Sequence, residues 1–399
     1  MPPELHKIEE LLRTTLAWSR AQLYLEHTKH DALNSPLLNK LFGRTRPGRI
    51  FVTQAVMRFP LNVRPLLGVA KSHNPKGLAL FASSLLDIYV SFGDQEDLAE
   101  AERILAMLLN LRSPGAWHGN SWGYQYPWQD LGFFAPSGTP NAVVTAFVCE
   151  AFLRAFLVTG KEEYLSVVSS AAEFFLNDLT VLKSDADEFC VGYMPLPMKM
   201  RVMDVSILVA AVLAQLNGIR PDARFASTAR RLTTFVIHRQ TEDGAWYYTD
   251  PPSASPVKID NYHTGFILDA LLRVMQGLPT QEWRANYDRG VGFYATNLFN
   301  QDGSPRWMSA KNFPHDIHGA AQGILTFGQA QNAKAYPEMA PNILEWATSR
   351  MYHADGRFYY QENRFFIKKF TFMRWCNAWM CRAMASYLHN RHMGKISSQ

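Results

Sequence analysis

The stretch Ala142-Val-Val-Thr-Ala-Phe-Val-Cys149 is apolar on nearly every side, and three other stretches of the chain share this character. They are Gly77-Leu-Ala-Leu-Phe-Ala-Ser-Ser-Leu-Leu86, Ser206-Ile-Leu-Val-Ala-Ala-Val-Leu213 and Gly265-Phe-Ile-Leu-Asp-Ala-Leu-Leu272. A helix without a wide polar face is buried on most sides. The four stretches therefore predict inner helices that share one large core.

The starts of these helices recur along the chain at a nearly constant spacing. Successive starts are 55 to 65 residues apart, and they lie near Lys76, Asn141, Asp204, Tyr262, Ile317 and Arg374. A fixed period of this length indicates one supersecondary unit that is stacked repeatedly. The apolar helices would then form one layer of a repeating two-helix unit.

Amphipathic segments fill the intervals between the apolar helices. Their apolar residues are spaced three and four apart, as on one face of a helix, and the segments lie at 9–26, 97–111, 161–176, 222–238, 280–298 and 341–351. Outer and inner helices in equal number predict an all-α fold, an (α/α)6 toroid, with an open solenoid as the competing arrangement. Residues 1–399 form a single domain in this prediction, and 29–75 form a lid or an extended loop.

Composition and charge narrow the function classes. The 399 residues are 47% hydrophobic and 13% aromatic, and the net charge of +5 comes from scattered Lys and Arg. No nucleic-acid-binding motif accompanies the basic residues of 40–49, so no nucleic-acid partner is predicted. The longest apolar candidate for a membrane span, 141–158, contains Glu150 and Arg154 and is better read as a core helix. The N-terminus lacks a signal-peptide pattern, so a cytoplasmic protein without a transmembrane segment is expected.

The cysteines show neither a disulfide framework nor the spacing of a zinc site. They are predicted to be free and mostly buried thiols, at Cys149, Cys190, Cys376 and Cys381. Unpaired cysteine is among the residue types most often found inside proteins. The cysteines therefore suggest no function of their own.

Aromatic residues are concentrated in the loops before the inner helices. The loop Trp117-His-Gly-Asn-Ser-Trp-Gly-Tyr-Gln-Tyr-Pro-Trp128 interleaves ring faces with hydrogen-bonding groups, a combination that suits sugar rings. We predict a sugar platform of Trp122, Tyr124 and Trp128, with Tyr193 and Trp246 as further substrate-binding residues. Trp246, Trp307 and Phe358 follow Asp-Gly turns, and they also fit a structural role in which the ring fills the gap between neighbouring hairpins.

A second group of polar residues lies at the starts of the inner helices. It comprises Asp204, Asp260, Asn261, His263, His315, Asp316, His318 and Arg374. Asp and Asn are ordinary helix caps, whereas His263 and His318 are harder to explain in this way. In a closed ring all inner N-termini meet at one mouth, where the positive ends of the helices favour an anionic ligand.

Three chemistries fit these residues. Asp260 and Asp316 could act as acid and base in glycoside hydrolysis, for which inverting enzymes hold two carboxyl groups roughly 6.5–9.5 Å apart.

Alternatively, His263 or His318 could act with Tyr124, Tyr193 or Tyr262 to move a proton next to a uronate carboxylate that Asn261 and Arg374 hold. This chemistry is elimination or C5 epimerisation.

Metal binding by His315, Asp316 and His318 with His263 matches no recognised ligand signature. No metal and no cofactor are therefore predicted.

One motif resembles triterpene cyclases, which have another double-ring α fold. Gln240-Thr-Glu-Asp-Gly-Ala-Trp246 is similar to their Gln-x-x-Asp-Gly-x-Trp signature. Those enzymes protonate their substrate with an Asp-x-Asp-Asp motif, and the nearest match here is Asp185-Ala-Asp-Glu188, in which the last residue differs. This resemblance implies the ring more than the reaction.

A closer resemblance covers nearly the whole chain. Asn74-Pro-Lys-Gly-Leu-Ala-Leu-Phe81, His118-Gly-Asn-Ser-Trp-Gly-Tyr124, Asp260-Asn-Tyr-His-Thr-Gly-Phe266, Pro314-His-Asp-Ile-His318 and Met373-Arg-Trp-Cys-Asn-Ala-Trp-Met380 are similar to segments of a family of bacterial six-hairpin toroid proteins. That family is associated with surface-polysaccharide gene clusters.

The resemblance implies a role in capsule or exopolysaccharide production, by analogy with glycoside hydrolases, polysaccharide lyases and uronyl epimerases of the same fold. It does not fix the reaction, because one fold hosts many chemistries. Hydrolases of this fold usually use a Glu acid, and no Glu occupies an inner-helix start here. The expected partner is an oligosaccharide or polysaccharide that is acted on by Asp260, His263, Asp316, His318 and Tyr124. A non-catalytic glycan-binding protein and a terpene-cyclase-like enzyme remain as alternatives.

Overall fold

The computed structural model describes residues 3–396 and consists mainly of helices. In chain order these are α1 (Pro3–Ala21), α2 (Pro36–Phe42), α3 (Arg46–Arg58), α4 (Pro75–Phe92), α5 (Gln95–Asn110), α6 (Ala142–Thr159), α7 (Glu162–Asn177), α8 (Met203–Ile219), α9 (Ala223–Ile237), α10 (Asn261–Gly277), α11 (Arg284–Asn297), α12 (Ile317–Gly328), α13 (Ala330–Ala335), α14 (Met339–Arg350) and α15 (Trp379–Ile396). Short 3-10 turns lie at Ala32–Asn34 and Pro252–Ala254, and a π-helical turn, Met373–Ala378, leads into α15.

The helices form two concentric layers. The inner layer consists of α4, α6, α8, α10, α12 and α15, each packed on the next, and α15 also packs on α4. That last contact closes the ring and excludes an open solenoid, so the predicted (α/α)6 toroid is confirmed. The outer layer consists of α1, α5, α7, α9, α11 and α14, each packed on an inner helix.

Local sequence explains where the inner helices begin and end. The side chains of Asn74 and Asn141 accept hydrogen bonds from the backbone N–H groups of Gly77 and Val144, which caps α4 and α6. Gly93 ends α4 in the left-handed conformation that glycine adopts without strain. By length and composition α6 could cross a membrane, but 67% of it is buried inside the ring, as expected of a helix at the centre of a large core.

Short antiparallel strands connect the helices at one end of the ring. They are β1 (Leu25–Glu26), β2 (Ser72–His73), β3 (Trp128–Gln129), β4 (Phe134–Ala135), β5 (Val181–Ser184), β6 (Phe189–Val191), β7 (Arg201–Val202), β8 (Thr249–Asp250), β9 (His315–Asp316), β10 (Tyr352–His353), β11 (Arg357–Phe358), β12 (Gln361–Glu362) and β13 (Ile367–Lys368). Most pair in twos, and β9, β12 and β13 form a three-stranded sheet. These strands hold the loops next to the starts of the inner helices.

The repeated Asp-Gly turns pack against the outer helix of the next unit. Gly244 has φ +96°, and an added Cβ would lie 2.6 Å from the carbonyl oxygen of Arg289 on α11. Gly303 contacts the backbone of α14 in the same way, at 2.3 Å from the carbonyl oxygen of Asn342. The ring of Trp246 is 1% exposed, and Phe358 is fully buried. The structural interpretation of these two aromatic residues is therefore confirmed.

Residues 22–74, which we call the connecting segment, join α1 to α4. They contain α2 and α3 and a small apolar cluster separate from the main core, formed by Ala32, Leu33, Leu38, Val52, Val56 and Val69. Arg46 donates a hydrogen bond to the carbonyl oxygen of Leu131 at 2.7 Å, and Arg49 donates one to Gln129 Oε1 at 2.7 Å. The connecting segment therefore lies on the loops at the N-terminal end of the inner ring.

Candidate functional site

The N-terminal ends of the inner helices meet at one end of the ring, which we call the mouth. Several residues there keep partial solvent exposure although they lie between the loops and the helix starts. They are Lys29, His30, Tyr193, Tyr248, His263 and Trp307. These residues line a space that solvent reaches, and they come from widely separated parts of the chain.

A carboxylate and an imidazole form a pair at the start of α10. Asp260 precedes the helix, and because its side chain makes no capping bond it is free to accept a hydrogen bond from His263 Nδ1 at 2.8 Å. His263 lies on the first turn, and its side chain is 16% exposed. Its Nε2 bonds to no residue within 3–396 and faces the open space. The structure thus brings together two of the predicted catalytic residues.

Nearby carboxylates control the protonation of this histidine. Burial disfavours the imidazolium, but Asp260 and then Asp204 outweigh burial and raise the pKa of His263. Burial also raises the pKa of Asp204, which His263 and Lys76 oppose. Asp204 Oδ1 and Asp260 Oδ1 are both buried without a hydrogen-bond partner in the described chain. Two unpaired carboxylate oxygens near one histidine indicate a site that moves protons.

His318 is also at the mouth, but it lies beneath the surface among aromatic rings. Its ring stacks on Tyr262 with centroids 4.5 Å apart, and Trp379 and Trp375 lie at 4.5 and 4.6 Å. It is 1% exposed, and neither ring nitrogen has a hydrogen-bond partner in the described residues. Burial lowers the pKa of His318 far below its usual range, so the ring is neutral. His318 therefore lies buried beneath the mouth and does not line the space that solvent reaches.

Asp316 has a positioning role in this structure. Its Oδ1 accepts from the backbone N–H of His318 at 3.0 Å and from Trp375 Nε1 at 2.8 Å, and its Oδ2 accepts from Gln361 Nε2 at 2.7 Å. With both oxygens occupied, the carboxylate holds α12 and the indole in place. In the predicted acid and base pair of Asp260 and Asp316, Asp316 therefore has no oxygen free of hydrogen bonds, whereas Asp260 Oδ1 is unpartnered among the described residues.

Two buried basic side chains at the mouth lack an anionic partner. Lys76, on the first turn of α4, places Nζ 3.9 Å from the ring centre of Phe147 and 4.6 Å from that of Phe266. Arg374 lies on the π-helical turn, a form of helix common at functional sites, and is 4% exposed. Within residues 3–396 neither side chain forms an ion pair, and Nε of Arg374 has no hydrogen bond. Burial lowers the pKa of Lys76 well below its usual range.

Aromatic residues form one side of the mouth. The rings of Tyr124 and Tyr126 stack at 5.3 Å, and Trp128 packs edge-on against Tyr124 at 5.3 Å and Tyr193 at 5.7 Å. The guanidinium of Arg374 lies 5.4 Å from the Tyr124 ring centre. Burial raises the pKa of Tyr124 and that of Tyr193, so both phenols stay protonated. The structure thus groups Tyr124, Trp128, Tyr193 and Arg374 on one side of the mouth.

Three predicted binding residues lie elsewhere. Trp122 is fully buried and donates to the carbonyl oxygen of Leu108, and Trp246 donates to that of Val236. Asn261 donates to the carbonyl oxygen of Leu298 and accepts from Tyr294, so it faces the outer layer. The polar atoms of Trp122, Trp246 and Asn261 are used inside the core, so the structure does not bring these three residues to the mouth.

Sequence reasoning missed several residues at the mouth. Lys29 and His30 arrive from the connecting segment, and Tyr248 packs its ring 4.4 Å from that of His263. Glu26 is buried and accepts from the backbone N–H of Arg374 at 2.7 Å, and burial raises its pKa to about 8. A charged residue in the first turn of an apolar helix could have revealed Lys76. Nothing local in the sequence marks Lys29.

The metal alternative depended on histidines that point in different directions. His315 Nδ1 bonds to the carbonyl oxygen of Pro305 at 2.8 Å, and its ring packs near Phe313 and Trp346. Across residues 3–396, no three His, Cys, Asp or Glu side chains are arranged to hold a metal ion. His315 and His318 therefore do not converge on one point.

Comparison with known proteins bears on the fold. No protein-family model and no curated protein sequence matches this chain. A GH76 α-mannanase from Bacteroides thetaiotaomicron aligns with TM-score 0.57 and 12% identity, covering 81% of this chain and 87% of its own. A cellobiose 2-epimerase from Spirochaeta thermophila gives TM-score 0.60 and 12% identity, with 82% and 87% covered.

A family 88 glycosyl hydrolase from Bacteroides vulgatus gives TM-score 0.55 and 13% identity, with 80% and 94% covered. The ring is an (α/α)6 toroid of the kind found in carbohydrate-active enzymes. These neighbours perform different reactions, so the similarity shows the fold and leaves the chemistry to the residues of this mouth.

Proposed function

We propose that this protein is a glycan-active enzyme that transfers a proton to and from a carbon of a sugar, with His263 as the base. The bond between Asp260 and His263 Nδ1 carries the proposal, because it leaves Nε2 facing the space that solvent reaches. Asp260 selects the tautomer with a lone pair on Nε2 and stabilises the imidazolium that forms when a proton is taken. The carbohydrate-active neighbours of the same fold support a sugar as the substrate.

In the proposed first step, Nε2 of His263 takes a proton from a sugar carbon next to a carbonyl or carboxylate group. The C–H electron pair moves into that group as an enolate, and Arg374 and Lys76 stabilise its negative charge. A proton delivered to the opposite face gives an epimer, whereas loss of a substituent from the next carbon gives an unsaturated sugar and breaks the chain. Tyr193 is the proposed proton donor, because its hydroxyl is unpartnered among the described residues.

Glycoside hydrolysis is the second candidate, and Asp204 favours it. Asp204 leaves Oδ1 without a partner, and burial raises its pKa, as expected of a carboxyl group that acts as an acid. Asp260 would then be the second carboxylate. This assignment ranks lower because Asp260 already binds His263, which hydrolysis by two carboxyl groups does not require.

The remaining alternatives fit the mouth less well. A terpene cyclase needs an apolar cavity, whereas Lys76, Asp204, Asp260 and Arg374 place charged groups here. A binding protein without chemistry has no use for a histidine whose pKa two carboxylates raise. The proposal also includes a role in bacterial surface-polysaccharide production, which rests on the sequence resemblance.

Incubation with uronate-containing and neutral bacterial glycans in heavy water tests the proposed reaction, with products followed by NMR and mass spectrometry. Deuterium incorporated at carbon without cleavage means epimerisation, and an unsaturated end means elimination; either supports the proposal. New reducing ends without deuterium at carbon mean hydrolysis and overturn it. Glycan binding without any chemical change also overturns it and favours the binding protein.

A further inference from the structure

Lys29 reaches the mouth from the connecting segment rather than from the helical ring. Its Nζ lies 4.5 Å from the ring centre of Trp375 and 5.7 Å from that of Trp307. The side chain is partly exposed, and within residues 3–396 Nζ forms no ion pair and no hydrogen bond. A cation held on two indole faces, with its donors unused, is available to a ligand.

A buried ion pair holds Lys29 in this position. Asp31 Oδ1 accepts from Arg64 Nε at 2.6 Å, and the two side chains are 2% and 1% exposed. Arg64 also donates to the carbonyl oxygen of Lys29 at 3.0 Å, and its guanidinium lies 4.9 Å from the Phe372 ring centre. Arg64 therefore fixes the backbone of Lys29 against the loop before α15 without itself reaching the open space.

No anionic group among the described residues pairs with Lys29 to balance its positive charge. The guanidinium of Arg374 lies 5.1 Å from the centre of the same Trp375 ring, so the two cations share one indole. Burial lowers the pKa of Lys29, and Asp316 opposes this effect. Both oxygens of Asp316 already accept hydrogen bonds from other groups. Two like charges this close repel each other unless an anion lies near both.

We infer that Lys29 and Arg374 bind the carboxylate of an acidic sugar, and that the connecting segment is a lid that supplies Lys29. This inference rests on the proposed sugar substrate and names its class as uronate-containing glycans. The ammonium of Lys29 donates to one side of the carboxylate, and Arg374 adds the planar guanidinium suited to it. The ring alone would offer the carboxylate only Arg374, and the lid adds the second cation.

Matched pairs of glycans test the inference. Each uronate-containing oligosaccharide is compared with its carboxyl-reduced form, in which the carboxylate is replaced by a hydroxymethyl group. Calorimetry measures the dissociation constants for wild-type protein, Lys29→Met and the control Lys40→Met, which alters an exposed lysine of the same segment. We expect Lys29→Met to weaken binding of the uronate form roughly 10- to 100-fold and to leave the reduced form unchanged. Lys40→Met should behave as wild type.

Equal binding of both forms by the wild-type protein, or no binding of either, overturns the inference. It is also overturned if Lys29→Met keeps the wild-type preference. The proposed function fails in a different way, when a glycan that binds shows neither deuterium incorporation at carbon nor an unsaturated end. Deuterium incorporation into, or elimination from, a uronate-containing glycan that binds no more tightly than its carboxyl-reduced form would keep the proposed function and remove the anion site.

Arg64 provides a second variant that does not touch the ligand. Arg64→Met should weaken binding of the uronate form while the reduced form binds as before, and Arg64→Lys should restore part of the preference. It should also make residues 22–74 easier to cleave by a protease while the ring stays intact. A uniform loss of binding to both forms would indicate general disruption and contradict the positioning role.

Discussion

The two ends of the inner ring hold similar charged side chains but pair them differently. At the far end, where the inner helices finish, Asp87 of α4 forms ion pairs with Arg154 and Arg382, and Glu150 pairs with Arg273. Each of these groups has a partner of opposite charge on another inner helix. Breaking a buried pair of this kind destabilises a protein, because removing either partner leaves the other charge buried without compensation.

The mouth lacks such pairing. Lys76 and Arg374 have no anionic partner among the described residues, and Asp204 leaves a buried oxygen without a hydrogen bond. Unpaired buried charge is unfavourable for folding. The comparison indicates that the far end is arranged for stability, whereas the mouth keeps unpaired groups that are available to a ligand.

The largest expected effect is on activity, from His263→Ala. Loss of the base should slow proton exchange at the sugar carbon by about 100- to 10,000-fold. The matched control is His118→Ala, which removes an exposed histidine bonded to Asp178 at 2.6 Å on the outside of the ring. Deuterium incorporation should fall only in the first variant, and equal loss in both would contradict the assignment of the base.

Asp87→Ala should have the largest effect on stability. The change leaves Arg382 buried without a carboxylate, so the free energy of unfolding should fall by about 3 to 5 kcal/mol. Denaturant unfolding measures it, with Asp288→Ala as the control because Asp288 forms an exposed pair with Arg284. In the control, the free energy of unfolding should fall by at most about 1 kcal/mol. Similar losses in both variants would mean that the far-end pairs do not stabilise the ring.

Lys76→Met should stabilise the protein, whereas Asp87→Ala should destabilise it. The change replaces an unpartnered buried amino group with a side chain that packs well on the rings of Phe147 and Phe266. We expect a gain of about 1 kcal/mol in the free energy of unfolding together with reduced turnover. Thermal unfolding and the deuterium assay measure the two effects. A loss of stability would show that the cation–π contacts outweigh the penalty of burial.

The smallest expected effect is a shift in the pH profile. His263 acts as a base only when it is neutral, so activity should rise as pH increases through its pKa. Burial lowers this pKa, but Asp260 and Asp204 raise it overall. Asp204→Asn removes one of these charges, so the rising limb of kcat/KM against pH should move to lower pH. If the rising limb stays in place or moves to higher pH, Asp204 does not raise the pKa of His263.

The fold was predictable because its signals repeat. Apolar helix starts recur every 55 to 65 residues, and each predicted inner helix is present in the structure. The short helix α13 was not expected, because it lies outside the repeating pattern. Long periodic helices reveal themselves in a sequence, whereas short irregular elements do not.

The site was predictable only in part, because neighbouring residues at a helix start face different layers. Asp260 faces the mouth, whereas the next residue, Asn261, binds Tyr294 and the backbone of the outer layer. Residue type alone does not reveal this difference. The position of Lys29 depends on Arg64, which donates a hydrogen bond to its carbonyl oxygen. The two residues are 35 positions apart along the chain. That long-range contact leaves no local pattern.

The contact that closes the ring also sets when the protein becomes functional during folding. The Asp87–Arg382 pair joins residues 295 apart, and the bond between Glu26 and the backbone of Arg374 joins residues 348 apart. Contacts with such long sequence separation require a large loss of chain entropy and form late. A growing chain can therefore stack its middle hairpins early but cannot assemble the mouth until α15 has been made and docks between α1 and α4.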